Sequence, residues 1–78
     1  MVEAEKRFIE AFTYLMGERR LNMSAFADAT NTKASTIAAF KTGTSNRHAK
    51  VEWFTELVEH YHVSAEWLLV GKGEMFRD

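Results

Sequence analysis

Cysteine and proline are both missing from the 78 residues, and glycine occurs only four times. Without cysteine there is no disulfide framework, no thiolate nucleophile and no cysteine-based zinc site. The glycines form no phosphate-binding loop, and Ser24, Ser35, Ser45 and Ser64 lack the context of a nucleophile elbow. No uninterrupted apolar run exceeds the length of WLLV at Trp67 to Val70, far short of the roughly 20 residues a membrane span requires. The opening MVEAEKRF has no signal-peptide apolar region. These absences lead to the expectation of a soluble cytoplasmic domain that is not an enzyme and has no cofactor, no metal, no small-molecule ligand and no membrane partner. The three histidines fit that expectation. His60 and His62 are two apart at a helix end and point in different directions, and no cysteine or acid has ligand spacing with them, so all three read as surface residues.

Acids are missing locally as well. The net charge is −1, yet residues 33–50 carry Lys33, Lys41, Arg47 and Lys50 with no acid, and the acid-free stretch runs from Ala29 to Val51. Residues 1–32 hold five acids and four bases, and residues 51–78 hold six acids and two bases. Affinity for phosphates comes from local Lys and Arg rather than from net charge, so the middle of the chain is where a nucleic-acid partner would bind. A solvated helix face is the competing reading of the same four bases.

What is present is helical periodicity. No alternating run is long enough for a sheet, and no low-complexity linker divides the chain, so one all-α domain spanning residues 1–78 is expected, with five helices. The first, Glu3 to Gly17, places Phe8, Ile9, Phe12, Leu15 and Met16 on one stripe, with Gly17 as its end. Asn22 caps a second, Met23 to Thr30, with Phe26 and Ala27 inward. Asn31 tolerates a left-handed backbone and turns the chain into a third, Lys33 to Thr42, closed by Gly43. A fourth, Ala49 to Tyr61, buries Val51, Phe54, Leu57, Val58 and Tyr61, and Ser64 caps a fifth, Ala65 to Val70, that ends at Gly71. The acids interleaved with apolar positions read as solvated carboxylates.

Ala27, Asn31 four positions later and Ile37 six after that have the spacing of a helix-turn-helix, joined in its framework by Phe26. It needs a small residue where two helices cross, a left-handed turn, and a branched apolar residue under the crossing. LNMSAFADATNTKASTIAAFKTG, then a fourth amphipathic helix and VSAEWLLVGKGEM, resembles the lambda-repressor-like helix-turn-helix domains of phage repressors and Xre-type regulators. The resemblance runs from Leu21 to Met75. It implies a compact five-helix domain that binds double-stranded DNA as a transcriptional repressor of phage or mobile-element type, with the third helix in the major groove. It also implies a homodimer, through the C-terminal helix or a further C-terminal domain.

The matching positions name the candidate contacts. A recognition helix offers mainly its N-terminal residues to base edges, which are Lys33, Ala34, Ser35 and Thr36, with Ala38 and Ala39 further along. The family commonly has long polar side chains here; small ones let a helix sit deep, and Ala and Thr methyls meet thymine methyls. Candidate phosphate contacts are Asn22 and Met23 at the start of the second helix, then Lys41, Thr44, Ser45, Asn46, Arg47 and Lys50. Three departures stand out: Asn31 replaces the usual glycine, Met23 replaces a glutamine, and Lys33 replaces a capping Ser or Thr, with Thr32 the substitute cap. Trp53, Trp67, Leu69, Met75 and Phe76 exceed what five short helices need inside; Trp67 and Leu68 are expected in the core and the remainder as a dimer seam. GEMFRD has no closing cap, as in the N-terminal part of a longer regulator. Small residues on an exposed helix suit a protein partner equally well, so a helical interaction module without DNA binding stays open.

Overall fold

Phe8 organises the interior. In a computed structural model, which describes residues 3–43 and 48–77, its ring lies 5.6 Å from Phe12 and 6.2, 6.0, 5.7 and 5.5 Å from Phe26, Phe40, Trp53 and Phe54. Those rings come from four different helices: α1 (Glu3–Gly17), α2 (Met23–Ala29), α3 (Ala34–Thr42) and α4 (Val51–His60). A short α5 (Ala65–Val70) packs on α1. Among the described residues the fold is therefore all-α with five helices, with extents of 30 × 25 × 20 Å. Among the described residues no helix is long and apolar enough to cross a membrane.

α1 buries Phe8, Ala11, Phe12 and Leu15 on one stripe, while Ile9 and Met16 flank it half-buried. Each fully buried large apolar side chain is worth about 1.5–3 kcal/mol. The helix does not turn at Gly17, its last helical residue. Arg19 takes the left-handed conformation (φ 59°), with its N–H donating to Met16 and that of Arg20 to the Leu15 carbonyl at 2.9 Å. This is a Schellman closure built on arginine, at a cost of about 1–2 kcal/mol that glycine would avoid.

In α4 the inward stripe is rotated from the expected one. Trp53 and Leu57 are buried, Phe54, Val58 and Tyr61 are half-buried, and Val51 is 74% exposed. The helix starts at Val51 rather than Ala49, so Val51 sits at its open end, and Trp53, expected in excess, fills the core against Phe8 and Phe40.

The C-terminal segment is fastened down. The Ser64 N–H donates to Met75 at 2.8 Å and the Arg77 N–H to His62 at 2.9 Å, forming an isolated antiparallel bridge between Val63 and Phe76. Phe76 packs on Tyr14, Arg20 lies over its ring at 5.1 Å, and the Arg77 guanidinium donates to the Val58 carbonyl. Met75 and Phe76 are thus used within the fold and are not spare surface. Trp67 is only half-buried, whereas Leu68 is fully so. Ser64 and Gly71 cap α5 as expected, and Arg7 of α1 closes its C-terminal end by donating to the Leu68 and Leu69 carbonyls at 2.9 and 3.0 Å.

Candidate nucleic-acid interface

The α2–α3 connection is made by capping chemistry at both ends. Asn22 accepts the Ala25 N–H at 3.1 Å, which satisfies one of the open donors at the start of α2. At the other end Thr30 is the C-cap, so α2 stops at Ala29, one residue short of expectation. Asn31 has φ 54°, its N–H donates to Asp28 and the Thr32 N–H donates to Ala27 at 2.8 Å. These two bonds are the paired closures of a Schellman motif, with asparagine in the position usually given to glycine. Ala27, 3% exposed, lies on the inner side of α2, which packs on α3, while Phe26 and Ile37 are fully enclosed.

Lys33 is the N-cap of α3 and makes no side-chain cap bond, so the helix begins at Ala34. Thr32 does not substitute as the cap. Its hydroxyl accepts the Trp53 indole N–H at 3.1 Å and donates to the Thr30 carbonyl at 3.0 Å. Thr30, itself buried, donates back to Phe26. The turn is thereby tied to α4 through a core tryptophan, a link that neither residue announces in the sequence.

The α3 candidates separate by exposure. Lys33, Ser35 and Ala38 are exposed, whereas Ala34, Thr36 and Ala39 are half-buried, and Ala34 packs on the core. Ile37 and Phe40 form the inner face. The surface offered by α3 is therefore narrower than the six expected positions, and runs through Lys33, Ser35 and Ala38. Gly43, at φ 79°, closes the helix.

Of the phosphate candidates, Asn22 and Lys50 are exposed and Lys41 is half-buried. Met23 is half-buried against the core, so its side chain serves packing. Thr44, Ser45, Asn46 and Arg47 lie outside the described residues. Lys33, Lys41 and Lys50 form no salt bridge among the described residues, where the side chains in close contact with carboxylates are Lys6 with Glu3 and the imidazoles of His48 with Glu5 and His60 with Glu56. Asp28, Asn31, Thr32 and Lys33 line a polar hollow of about 320 Å³ beside the turn.

Two histidines have partners that the surface reading did not foresee. His60 sits 3.0 Å from Glu56, one turn earlier, and His48 Nδ1 lies 3.2 Å from Glu5. Glu5 is 3% exposed and accepts the Ala49 N–H at 2.7 Å, so it is not one of the solvated carboxylates. A signal existed: Glu5, Phe8, Phe12 and Leu15 follow the three-four-three spacing of the buried stripe. Among the described residues no group of three or more His, Cys, Asp or Glu is placed to hold a metal.

Elsewhere, α4 and α5 leave an open apolar groove of about 490 Å³ lined by Val51, Phe54, Val58, Leu68 and Leu69, with Thr55, Glu59 and Ala65. Leu69 and Val70 are 54% and 60% exposed. The chain matches no protein-family model, and no curated protein or solved structure shows significant similarity to it.

Proposed function

We propose that this chain is a sequence-specific double-stranded DNA-binding domain of the lambda-repressor-like helix-turn-helix kind, acting as a transcriptional regulator, most simply a repressor of phage or mobile-element type. The observation that carries the reading is the Schellman turn at Asn31, which joins α2 to an α3 that exposes Ser35 and Ala38, with Lys33 exposed at its N-cap. A recognition helix needs its N-terminal half free and its other face locked. Ile37 and Phe40 supply the lock. Lys33 before α3, Lys41 within its last turn and Lys50 at the start of α4 supply cations for phosphates on either side. The small side chains between them suit close approach, with the Ser35 hydroxyl bonding to base edges and the Ala38 methyl meeting thymine methyls.

The test is an electrophoretic shift on DNA flanking the protein's own gene, repeated over a salt series. Each phosphate neutralised contributes about −0.9 to the slope of log K against log salt, so three lysine contacts give a slope near −3 or steeper. A flat response removes phosphate contacts from the account.

A specific observation favours a second reading, that of a helical protein-interaction module. The α4–α5 groove is apolar and open, and exposed Val51 and Leu69 line it. On the DNA-binding reading the same groove replaces Met75 and Phe76 as the seam for a homodimer. The two uses are separable, because the groove and the exposed α3 positions share no residue.

A further inference from the structure

Glu5 is the least expected charged residue in the fold. It lies in the first turn of α1, forty-four positions from Ala49, yet its Oε2 accepts the Ala49 N–H at 2.7 Å and lies 3.2 Å from His48 Nδ1. A carboxylate that is 3% exposed has given up most of its hydration, which is costly unless charge-assisted hydrogen bonds replace the lost water. A buried charged contact is weak grounds for added stability, because the desolvation cost offsets much of what the contact gains. The contact is therefore expensive as stability and specific as geometry.

It fixes one short piece of chain. Ala49 is held through its N–H by Glu5, and Lys50, the N-cap of α4, is held through its carbonyl, which accepts the Trp53 N–H at 3.0 Å. The backbone carrying the exposed Lys50 side chain is thus pinned on one side to α1 and on the other to the core tryptophan. That tryptophan also bonds Thr32 in the α2–α3 turn. The Lys50 position is in this way registered to the start of α3 through protein alone.

We propose that Glu5 is a positioning residue for DNA binding: its buried carboxylate holds the Ala49 amide so that Lys50 meets a backbone phosphate in fixed register with α3. The inference rests on the DNA-binding reading. Its signature is a sign that runs against Coulomb's law. Removing a carboxylate from beneath an acid-free stretch raises affinity for phosphates if charge alone matters. Removing the anchor lowers affinity, because Lys50 must then be ordered at the moment of binding.

The experiment compares wild-type protein, Glu5→Met and Glu5→Gln on one duplex from the protein's own gene region over a salt series, with a thermal melt of each variant. Methionine keeps the volume and loses the acceptor, whereas glutamine keeps an oxygen for the Ala49 N–H and loses the charge. Glu5→Met is expected to bind about tenfold more weakly near 0.1 M salt, with a slope flatter by about one unit, and Glu5→Gln to bind as tightly as wild type or tighter. Folded Glu5→Met that equals or exceeds wild-type affinity, beside a wild type with a steep salt slope, overturns this proposal and leaves the DNA reading standing. A wild type that binds no duplex at low salt overturns both. Should Glu5→Met fail to fold, Ala49→Pro removes the donor and keeps the carboxylate; the same tenfold loss supports the proposal, and unchanged affinity overturns it.

Discussion

The outer face of α3 and the face shared by α4 and α5 are both exposed, and they depart from an ordinary solvated surface in opposite ways. Along α3 the exposed side chains are small, with cations before and after them: Lys33, Ser35 and Ala38, then Lys41 and Lys50. The α4–α5 face instead carries an apolar groove, with exposed Val51 and Leu69 beside a floor of Phe54, Val58 and Leu68 and with Glu59 in its lining. A surface poor in bulk and bordered by lysine suits a stiff, negatively charged partner that must approach the helix backbone closely. A surface rich in bulk and poor in charge suits another protein. One domain can carry both, since the core behind Ile37 and Phe40 is continuous with that behind Leu57 and Leu68.

That comparison breaks first if the shared core is not what holds the two faces apart. Trp53→Ala removes a buried ring and the indole N–H that the Thr32 hydroxyl accepts, and is expected to cost about 3–5 kcal/mol in a denaturant melt. Ile37→Ala should cost about 2–5 kcal/mol and Ala27→Leu about 1–3 kcal/mol by overpacking. Near-neutral melts for Ile37→Ala and Ala27→Leu would remove the close α2–α3 packing on which the DNA-binding reading depends.

Changing charge by position sharpens the comparison next. Lys50→Ala and Lys41→Ala should each weaken binding to every duplex by about tenfold near 0.1 M salt and flatten the salt slope by about one unit. Glu59→Ala, at the groove, should leave both quantities where they were. Leu69→Asp is expected to do the converse, abolishing any self-association seen by sedimentation while leaving the DNA affinity of the monomer unchanged within about twofold. Loss of DNA binding by the Leu69 variant in a folded monomer would merge the two faces into one.

The smallest effect is electrostatic. Burial, and then the nearby Glu56 carboxylate, raise the Tyr61 hydroxyl above its usual range near 10. The folded state therefore holds this proton more tightly than the unfolded chain does. The corresponding stability is intact below pH 10 and is lost as pH rises through the folded value. Tyr61→Phe should flatten the alkaline limb of a stability-against-pH curve above pH 10 and leave the neutral region unaltered.

How much of this was legible in the sequence depended on how local the cause was. The five helices, the Asn22 and Ser64 caps, the Asn31 turn and the Gly43 and Gly71 closures all follow from residues within one turn of each feature, and they stand where expected except for shifts of one or two residues at the ends of α2, α3 and α4. In α4 Leu57 is buried as expected, but Trp53 takes the inward place expected of Val51, Phe54 and Val58, because both sets satisfy helical spacing around Leu57. What selects between them is distant: Phe8 and Phe40 take the Trp53 ring, and Thr32 takes its N–H. The Glu5 anchor was hidden for the same reason, its partner lying on the far side of the chain. Met75 and Phe76 looked surplus because the pairing of the tail with residues 62–64 is a tertiary contact with no periodic signature. Of the α3 candidates, the exposed subset could not be separated from Ala34, Thr36 and Ala39 without the packing of the neighbouring helices.

The central claim, that the exposed strip of α3 enters a DNA groove, is tested most directly at Ala38. A glutamate there meets the negative potential of the phosphates and adds bulk where the helix must sit close, while an exposed helical site tolerates it in the free protein. The measurement is a binding isotherm of Ala38→Glu on the duplex that wild-type protein shifts, at the same salt, beside a melt of both proteins. The account requires DNA binding to disappear with stability unchanged within about 0.5 kcal/mol. Undiminished binding by the folded variant would contradict it and move the function of this domain to the α4–α5 groove.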